Sequence, residues 1–126
     1  MNTNKFSIKS RLGSFKFAFS GLRQLLKNEH NARIHLLAAF LAIAIGLLLK
    51  INIIEWALLT IVIGLIFISE LFNTALEKLA DFVHPEWNDQ IKKVKDFAAA
   101  AVFISAIIAL VVGGLIFIPR ILAIMK

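Results

Sequence analysis

The sequence predicts an all-α membrane protein with three transmembrane helices and an N-terminal amphipathic surface helix, in one domain covering residues 1–126. Two observations predict this class. Hydrophobic residues make up 60% of the chain, whereas soluble domains are about half apolar. The apolar residues are also concentrated in long runs, which indicates that lipid rather than water surrounds much of the chain.

Residues 5–29 predict a basic amphipathic helix. Large apolar side chains recur at steps of three and four residues, which places them on one helix face. They are Leu12, Phe15, Phe19, Leu22 and Leu26. Lysine and arginine residues surround that face, and helices of this kind commonly lie in the membrane interface. Packing of the helix against a partner is the alternative.

Three apolar runs predict the transmembrane helices. They cover residues 34–50, 54–72 and 97–118. His35 and Lys50, near the ends of the first run, can reach the headgroups because long or amphipathic side chains snorkel. The second helix is expected to continue to about residue 82.

Polar segments connect these spans. Residues 50–56 predict a tight connection, and residues 84–93 predict a loop because Pro85 disfavours helical geometry at His84. Pro119 and Arg120 are expected to end the third span.

The basic residues predict an orientation. Of the 14 lysine and arginine residues, all except Lys50, Arg120 and Lys126 precede the first span or lie between the second and third. The positive-inside rule therefore places the N-terminus in the cytoplasm and the C-terminus outside. The net charge of +6 fits contact with anionic lipid headgroups better than nucleic-acid binding in so apolar a chain.

Two kinds of chemistry are excluded or disfavoured. The chain has no cysteine, so disulfides and thiol nucleophiles are excluded. The three histidines, His30, His35 and His84, lack the spacing of a zinc site.

A polar stripe follows the second span. Glu70, Asn73, Glu77 and Asp81 fall within a narrow arc of one helix face. Glu70 lies at or just inside the membrane boundary, where an ionisable side chain is costly and indicates a functional site. For Asp81, a position facing the aqueous cytoplasm is an equally good interpretation.

Two further polar clusters are expected at the same cytoplasmic level, namely residues 28–31 and the pair Lys95–Asp96. Carboxylates gathered there would repel one another unless a cation lay between them. Mg²⁺ binds through one or two carboxylates together with substrate phosphates, and a lysine suits phosphate oxygens. The residues thus suggest phosphoryl transfer, although the phosphate loop GxxxxGK[ST] and the protein-kinase motifs are absent.

The chain contains four informative strings, ELFNTALEKLAD, PEWN, VKDFAAAAV and, upstream of them, GLRQLLKNEHNARIHL. Together they resemble the prokaryotic diacylglycerol kinase family, which includes the undecaprenol kinases. The resemblance covers nearly the whole chain. It implies an enzyme of the bacterial cytoplasmic membrane that phosphorylates a lipid alcohol with Mg-ATP. It also implies a homotrimer with active sites shared between subunits. Three helices enclose too little space for a complete site, which is an independent reason to expect an oligomer.

The resemblance also implies roles for individual residues. Glu70 resembles the general base, and Asn73 is expected to orient Glu70 or the phosphate. Glu29 and Glu77 resemble the carboxylates that hold Mg²⁺. The residues expected to bind the nucleotide are Lys95, Asp96, Glu86, Trp87, Asn88, Arg11 and Phe17, in addition to the two metal ligands.

Two alternatives remain open. The string NEHNARIH is nearer to the undecaprenol kinases, which favours undecaprenol as substrate, with diacylglycerol as the alternative. A different class would be a small non-enzymatic membrane protein that uses Glu70 and Glu77 as a proton relay. Such a relay needs neither Glu29 nor the pair Lys95–Asp96.

Overall fold

The computed structural model describes residues 7–126, and four α-helices make up almost all of this part of the chain. They are α1 (Ile8–Asn28), α2 (His30–Leu48), α3 (Ile53–Val83) and α4 (Asp89–Ile124). The last three are long and apolar enough to cross a membrane. The all-helical class and the three long apolar helices are therefore confirmed. Residues 5 and 6 of the predicted first helix lie outside the described residues.

Most residues of the first helix are exposed. Leu25 is its buried residue, while large side chains such as Leu12, Phe15 and Phe19 remain exposed. The helix ends where Glu29 adopts an extended backbone conformation, with φ −103° and ψ 117°. The Glu29 N–H donates to the Leu25 carbonyl at 2.8 Å. Glu29 therefore occupies the break between α1 and α2.

The connection between α2 and α3 is a tight turn stabilised at both sides. Lys50 has a positive φ of 51°, and Asn52 caps α3 by accepting hydrogen bonds from the N–H groups of Ile54 and Glu55, each at 3.0 Å. The Glu55 carboxylate in turn accepts the Asn52 N–H at 2.7 Å. This reciprocal cap starts the helix at Ile53, inside the segment expected to be a connection.

The bounds of α4 correct two expectations. Residues 89–93 are helical rather than part of a loop, because the Asn88 side chain accepts from the Gln90 and Ile91 N–H groups at 2.8 and 3.2 Å and so starts the helix at Asp89. At the other end, Pro119 lies inside α4, which continues to Ile124. Proline removes a single backbone hydrogen bond, and neighbouring groups in membrane helices often compensate for that loss.

The tightest packing joins α3 to α4 and to the α2–α3 turn. Ile51, Leu59, Val62 and Ile116 form a buried cluster, with Trp56 packed against it. Arg120 of α4 pairs with Glu55 of α3 and also donates to the carbonyls of Leu49 and Lys50, each at 3.4 Å. Many large apolar side chains outside this cluster remain exposed, as expected for helices that face lipid or other subunits.

Gly46 offers a test of this packing. A Cβ atom there would lie 3.0 Å from the Trp56 ring and 3.1 Å from Ile51, whereas a Cβ at Gly64 would meet nothing within 4 Å. We expect Gly46→Val to lower stability by about 1–3 kcal/mol through overpacking, measured by thermal unfolding in detergent. Gly64→Val is the matched control, and equal shifts in Tm for the two variants would contradict this packing.

Candidate functional site

A buried carboxylate lies where α2 and α3 approach each other. Glu70 belongs to α3 and is only 3% exposed. An ionisable group inside an apolar helix bundle is costly unless neighbouring groups compensate for its charge or form hydrogen bonds with it. The side chains around Glu70 therefore define the site.

His35 of α2 lies beside Glu70, with His35 Nε2 at 3.3 Å from Glu70 Oε1. The distance is that of an ion pair, but the same Glu70 oxygen has no partner with hydrogen-bond geometry among the described residues. The sequence pattern predicts no role for His35 beyond its position near the end of a span. Its depth, similar to that of Glu70 on the returning helix, is the signal that could have identified it.

Asn73 and Glu77 lie on the same face of α3, one and two turns beyond Glu70. Asn73 Nδ2 donates to Glu77 Oε1 at 3.3 Å. The structure thus pairs Asn73 with Glu77, while His35 is the group beside Glu70. The expectation that Asn73 orients Glu70 or the phosphate stays a prediction.

Three buried oxygen atoms on this face have no hydrogen-bond partner among residues 7–126. They are Glu70 Oε1, Asn73 Oδ1 and Thr74 Oγ1. Buried polar atoms are nearly always satisfied in folded proteins, so the lack of partners for these three oxygens within the described residues distinguishes this face of α3 from the rest of the subunit. Thr74 was missed by the sequence analysis, although its spacing of four residues from Glu70 puts it on the same face.

Two further carboxylates surround Glu70. The negative charges of Glu29, in the break between α1 and α2, and of Glu77 on α3 both disfavour a negative charge on Glu70, although less than its burial does. Glu77 contacts Asn73 on the same face of α3 as Glu70, whereas Glu29 lies at the start of α2, and their role as metal ligands stays a prediction. Within the described residues, no three histidine or acidic side chains are arranged as a complete metal centre, so the subunit supplies part of a coordination sphere at most.

The predicted phosphate-binding pair is engaged in other contacts. Lys95 forms an ion pair with Asp81, and Asp96 forms one with Lys92. Asp81 lies one turn beyond Glu77 on α3, so the Asp81–Lys95 pair joins the start of α4 to the far end of the polar stripe.

The remaining predicted nucleotide-binding residues are at the surface of this subunit. Glu86 and Trp87 lie in the α3–α4 connection, and the Trp87 side chain is 77% exposed. Trp87 Nε1 donates to Asp89 Oδ1 at 3.2 Å, and Asn88 caps α4. Arg11 and Phe17 lie in α1, where both are exposed. The subunit does not by itself gather these residues around Glu70.

An apolar cavity adjoins the polar site. Its volume is about 420 Å³, and it lies between α2, α3 and α4. His35 lines one part of it, and the other lining residues are alanine, glycine, branched aliphatic residues and phenylalanine. Because His35 also contacts Glu70, this residue lies between the cavity and the polar site.

Three helices long and apolar enough to cross a membrane, together with a buried carboxylate beside an apolar cavity, indicate a small multi-pass membrane protein with a polar site. A family model described as prokaryotic diacylglycerol kinase matches residues 16–117, and the chain belongs to that family. It is a lipid kinase, a phosphotransferase. Family membership sets aside the alternative of a non-enzymatic proton relay.

Curated relatives carry two names. The chain is 36% identical to the undecaprenol kinase of Bacillus subtilis over 85% of its own length and 87% of that protein. It is also 36% identical to the diacylglycerol kinase of a Synechocystis species, over 90% of its length and 66% of that protein. It is 32% identical to the diacylglycerol kinase of Escherichia coli K12, over 75% and 78% of the two chains.

Proposed function

We propose that this lipid kinase transfers the γ-phosphoryl group of ATP to the hydroxyl group of undecaprenol at the cytoplasmic surface of the membrane. The observation that carries the proposal is the position of Glu70, which begins the polar stripe and lies 3.3 Å from His35, a residue that lines the apolar cavity. A lipid alcohol arrives sideways from the bilayer and ATP arrives from water. A reacting group shared by both has to lie at such a boundary.

Glu70 is proposed as the general base. Its Oε1 atom is buried and has no hydrogen-bond partner among residues 7–126, so it can accept a hydrogen bond from the lipid hydroxyl. As the hydroxyl oxygen forms its bond to the γ-phosphorus, the bond from that phosphorus to the bridging oxygen of ATP breaks and the hydroxyl proton passes to Glu70. Placing the oxygen in line with the breaking bond is the main contribution of the protein in reactions of this type.

His35 is proposed to hold Glu70 in position. It contacts Glu70 on one side and lines the apolar cavity on the other. A lipid whose hydrocarbon chain occupied the cavity would bring its hydroxyl group past His35 to the Glu70 carboxylate. The contact thereby restricts the carboxylate to the side from which the lipid arrives.

The donor atoms near Glu70 fit Mg²⁺. Glu29 and Glu77 offer carboxylate oxygens, and Asn73 Oδ1 is buried without a described partner. Two carboxylates do not close a protein cage, but Mg²⁺ usually keeps several waters and completes its shell with substrate phosphates. We assign Glu29 and Glu77 as the residues that would hold the ion. When bound, it would neutralise charge on the ATP phosphates.

The nucleotide is proposed to approach from the α3–α4 connection. The exposed Trp87 ring offers an apolar surface for the base, with Glu86 and Asn88 beside it. When the nucleotide binds, Lys95 would leave its ion pair with Asp81 and bind phosphate oxygens instead. Since partly exposed ion pairs contribute only about 0–1 kcal/mol, this exchange has a small energetic cost. Asp96, Arg11 and Phe17 are further proposed contacts.

A homotrimer is proposed as the active form. Glu70 Oε1, Asn73 Oδ1 and Thr74 Oγ1 lack partners within the described part of one subunit, and Arg11, Phe17 and Trp87 lie on its exterior. Residues of a neighbouring subunit would complete the site. This arrangement also covers part of the apolar surface of the helices.

The orientation follows from charge and from α1. We place the N-terminus and the α3–α4 connection in the cytoplasm and the C-terminus outside, in the bacterial cytoplasmic membrane, because basic residues concentrate on the first side. The exposed apolar side chains of α1 would lie among the lipid headgroups with the helix along the membrane surface.

The choice of lipid has a direct test. The purified protein is incubated in detergent with labelled Mg-ATP and either undecaprenol or diacylglycerol, the alternative substrate. We expect the larger kcat/KM with undecaprenol. An equal or larger value with diacylglycerol would overturn the choice of undecaprenol, and transfer to neither lipid would overturn lipid alcohols as the substrate class.

Glu70→Gln tests the base. The amide keeps the shape of the side chain but is a poor proton acceptor, so we expect kcat to fall by about 10²–10⁴-fold, the usual contribution of a general base. Oligomer size, thermal stability and nucleotide binding should be retained, which separates loss of chemistry from loss of folding. Near-normal turnover would refute the assignment.

Glu77→Gln tests the metal ligand. The substituted side chain can still accept the Asn73 hydrogen bond through its carbonyl oxygen but no longer carries a charge. We expect a higher Mg²⁺ concentration for half-maximal activity, measured at saturating ATP and lipid, and Glu29→Gln should act in the same direction. An unaltered Mg²⁺ dependence in both variants would contradict the assignment.

A further inference from the structure

A contact between two hydroxyl groups, one half-buried and one buried, joins α3 to α4 next to Glu70. Ser69 Oγ and Ser105 Oγ are 2.7 Å apart, and Ser105 is almost fully buried. We propose that this pair, the Ser69–Ser105 clamp, fixes the rotation of α3 about its own axis and thereby aims Glu70 at the reacting lipid hydroxyl. The inference rests on the proposed role of Glu70 as the base.

The position of the clamp is informative. Pairs of polar side chains connect α3 to α4 at three levels in the described structure: Glu55 with Arg120, Ser69 with Ser105, and Asp81 with Lys95. The first and last pairs involve charged groups towards the ends of α3, where water can compete for them. The clamp lies between them and is the connection beside Glu70.

The hydroxyl groups are anchored to their own helices as well as to each other. Ser69 Oγ lies 2.8 Å from the Leu65 carbonyl and Ser105 Oγ lies 2.8 Å from the Ala101 carbonyl. Each hydroxyl has one proton, so one serine donates to its own carbonyl and accepts from the other serine, which donates across. Either arrangement satisfies the pair and sets a short, directed contact between the helices.

The clamp constrains Glu70 because the two residues are adjacent. Consecutive side chains of an α-helix differ by about 100° in direction. With Ser69 held against α4, Glu70 points towards His35 of α2. In lipid there is little hydrophobic driving force between helices, so apolar contacts alone would permit a helix to rotate slightly about its axis. A hydrogen bond between serines on two helices restricts such rotation.

Thr60 provides a matched control. Its Oγ1 donates to the Trp56 carbonyl at 2.8 Å, the same bond within α3 that Ser69 can make, but Thr60 is exposed and this bond stays within its own helix. Thr60→Val and Ser69→Ala therefore both remove a hydroxyl from α3. The Ser69 variant is the one that also removes the contact with Ser105.

The test compares steady-state kinetics of these variants in the full-length protein. We expect Ser69→Ala and Ser105→Ala each to lower kcat about three- to tenfold, a partial loss compared with removal of the general base, with the KM for ATP unchanged. Thr60→Val should leave kcat unaltered. The double variant should be no slower than either single variant, because both remove the same contact, and Ser69→Thr, which keeps a hydroxyl, should recover most of the activity.

Several outcomes would overturn the proposal. They are a kcat for Ser69→Ala equal to that of Thr60→Val, additive effects in the double variant, or a loss confined to KM. A fall in Tm with loss of the oligomer, large enough to account for the lost activity, would show that the clamp has only a structural role. That result would also overturn the proposal.

The Glu70→Gln background separates the two proposals. If the clamp acts through Glu70, Ser69→Ala causes no further loss of residual activity in that background, and a further loss would overturn the clamp. Near-normal turnover of Glu70→Gln alone would reject the base. If the Glu70→Gln single variant is impaired but the Ser69→Ala single variant is fully active, the clamp is rejected and Glu70 remains the proposed base.

Discussion

The constraint on which the structure depends is the burial of a carboxylate inside an apolar helix bundle. Glu70 is 3% exposed, and a charge removed from water in this way is costly unless its surroundings are arranged around it. The arrangement draws on α2, α3 and α4 and on the break between α1 and α2. His35 comes from α2, Asn73 and Thr74 from α3, and Ser105 holds α3 against α4, while Glu29 comes from the break after α1.

The helix α3 carries both apolar packing residues and the polar stripe. Along its length it is tied to α4 by Glu55–Arg120, Ser69–Ser105 and Asp81–Lys95. The tie next to Glu70 is made by neutral hydroxyl groups, and the ties nearer the helix ends are made by charges. This order follows the dielectric environment, since ion pairs are costly to bury whereas small hydroxyl groups can satisfy their own backbone carbonyls.

Sequence patterns predicted the parts of the fold that are local. Long apolar runs identified the three spanning helices, and a periodicity of three and four residues put Glu70, Asn73 and Glu77 on one face. The sequence signals for the two ends of α4 were misinterpreted. Pro85 suggested a longer loop, yet the Asn88 cap started α4 at Asp89, and Pro119 failed to end a helix that extends to Ile124. The His35–Glu70 contact and the Asp81–Lys95 pair join residues distant in sequence, so no periodicity could reveal them.

The sequence by itself determined the class of protein and the composition of the polar stripe that begins at Glu70. These depend on how many apolar residues lie in a row and on the fixed rotation per residue of a helix. Tertiary structure alone decided which side chains meet: His35 with Glu70, Asn73 with Glu77, and Ser69 with Ser105. The physical reason is that contacts between helices are set by how each helix is rotated and translated against its neighbours. That choice is made by the packing of whole surfaces and is not written in any single segment.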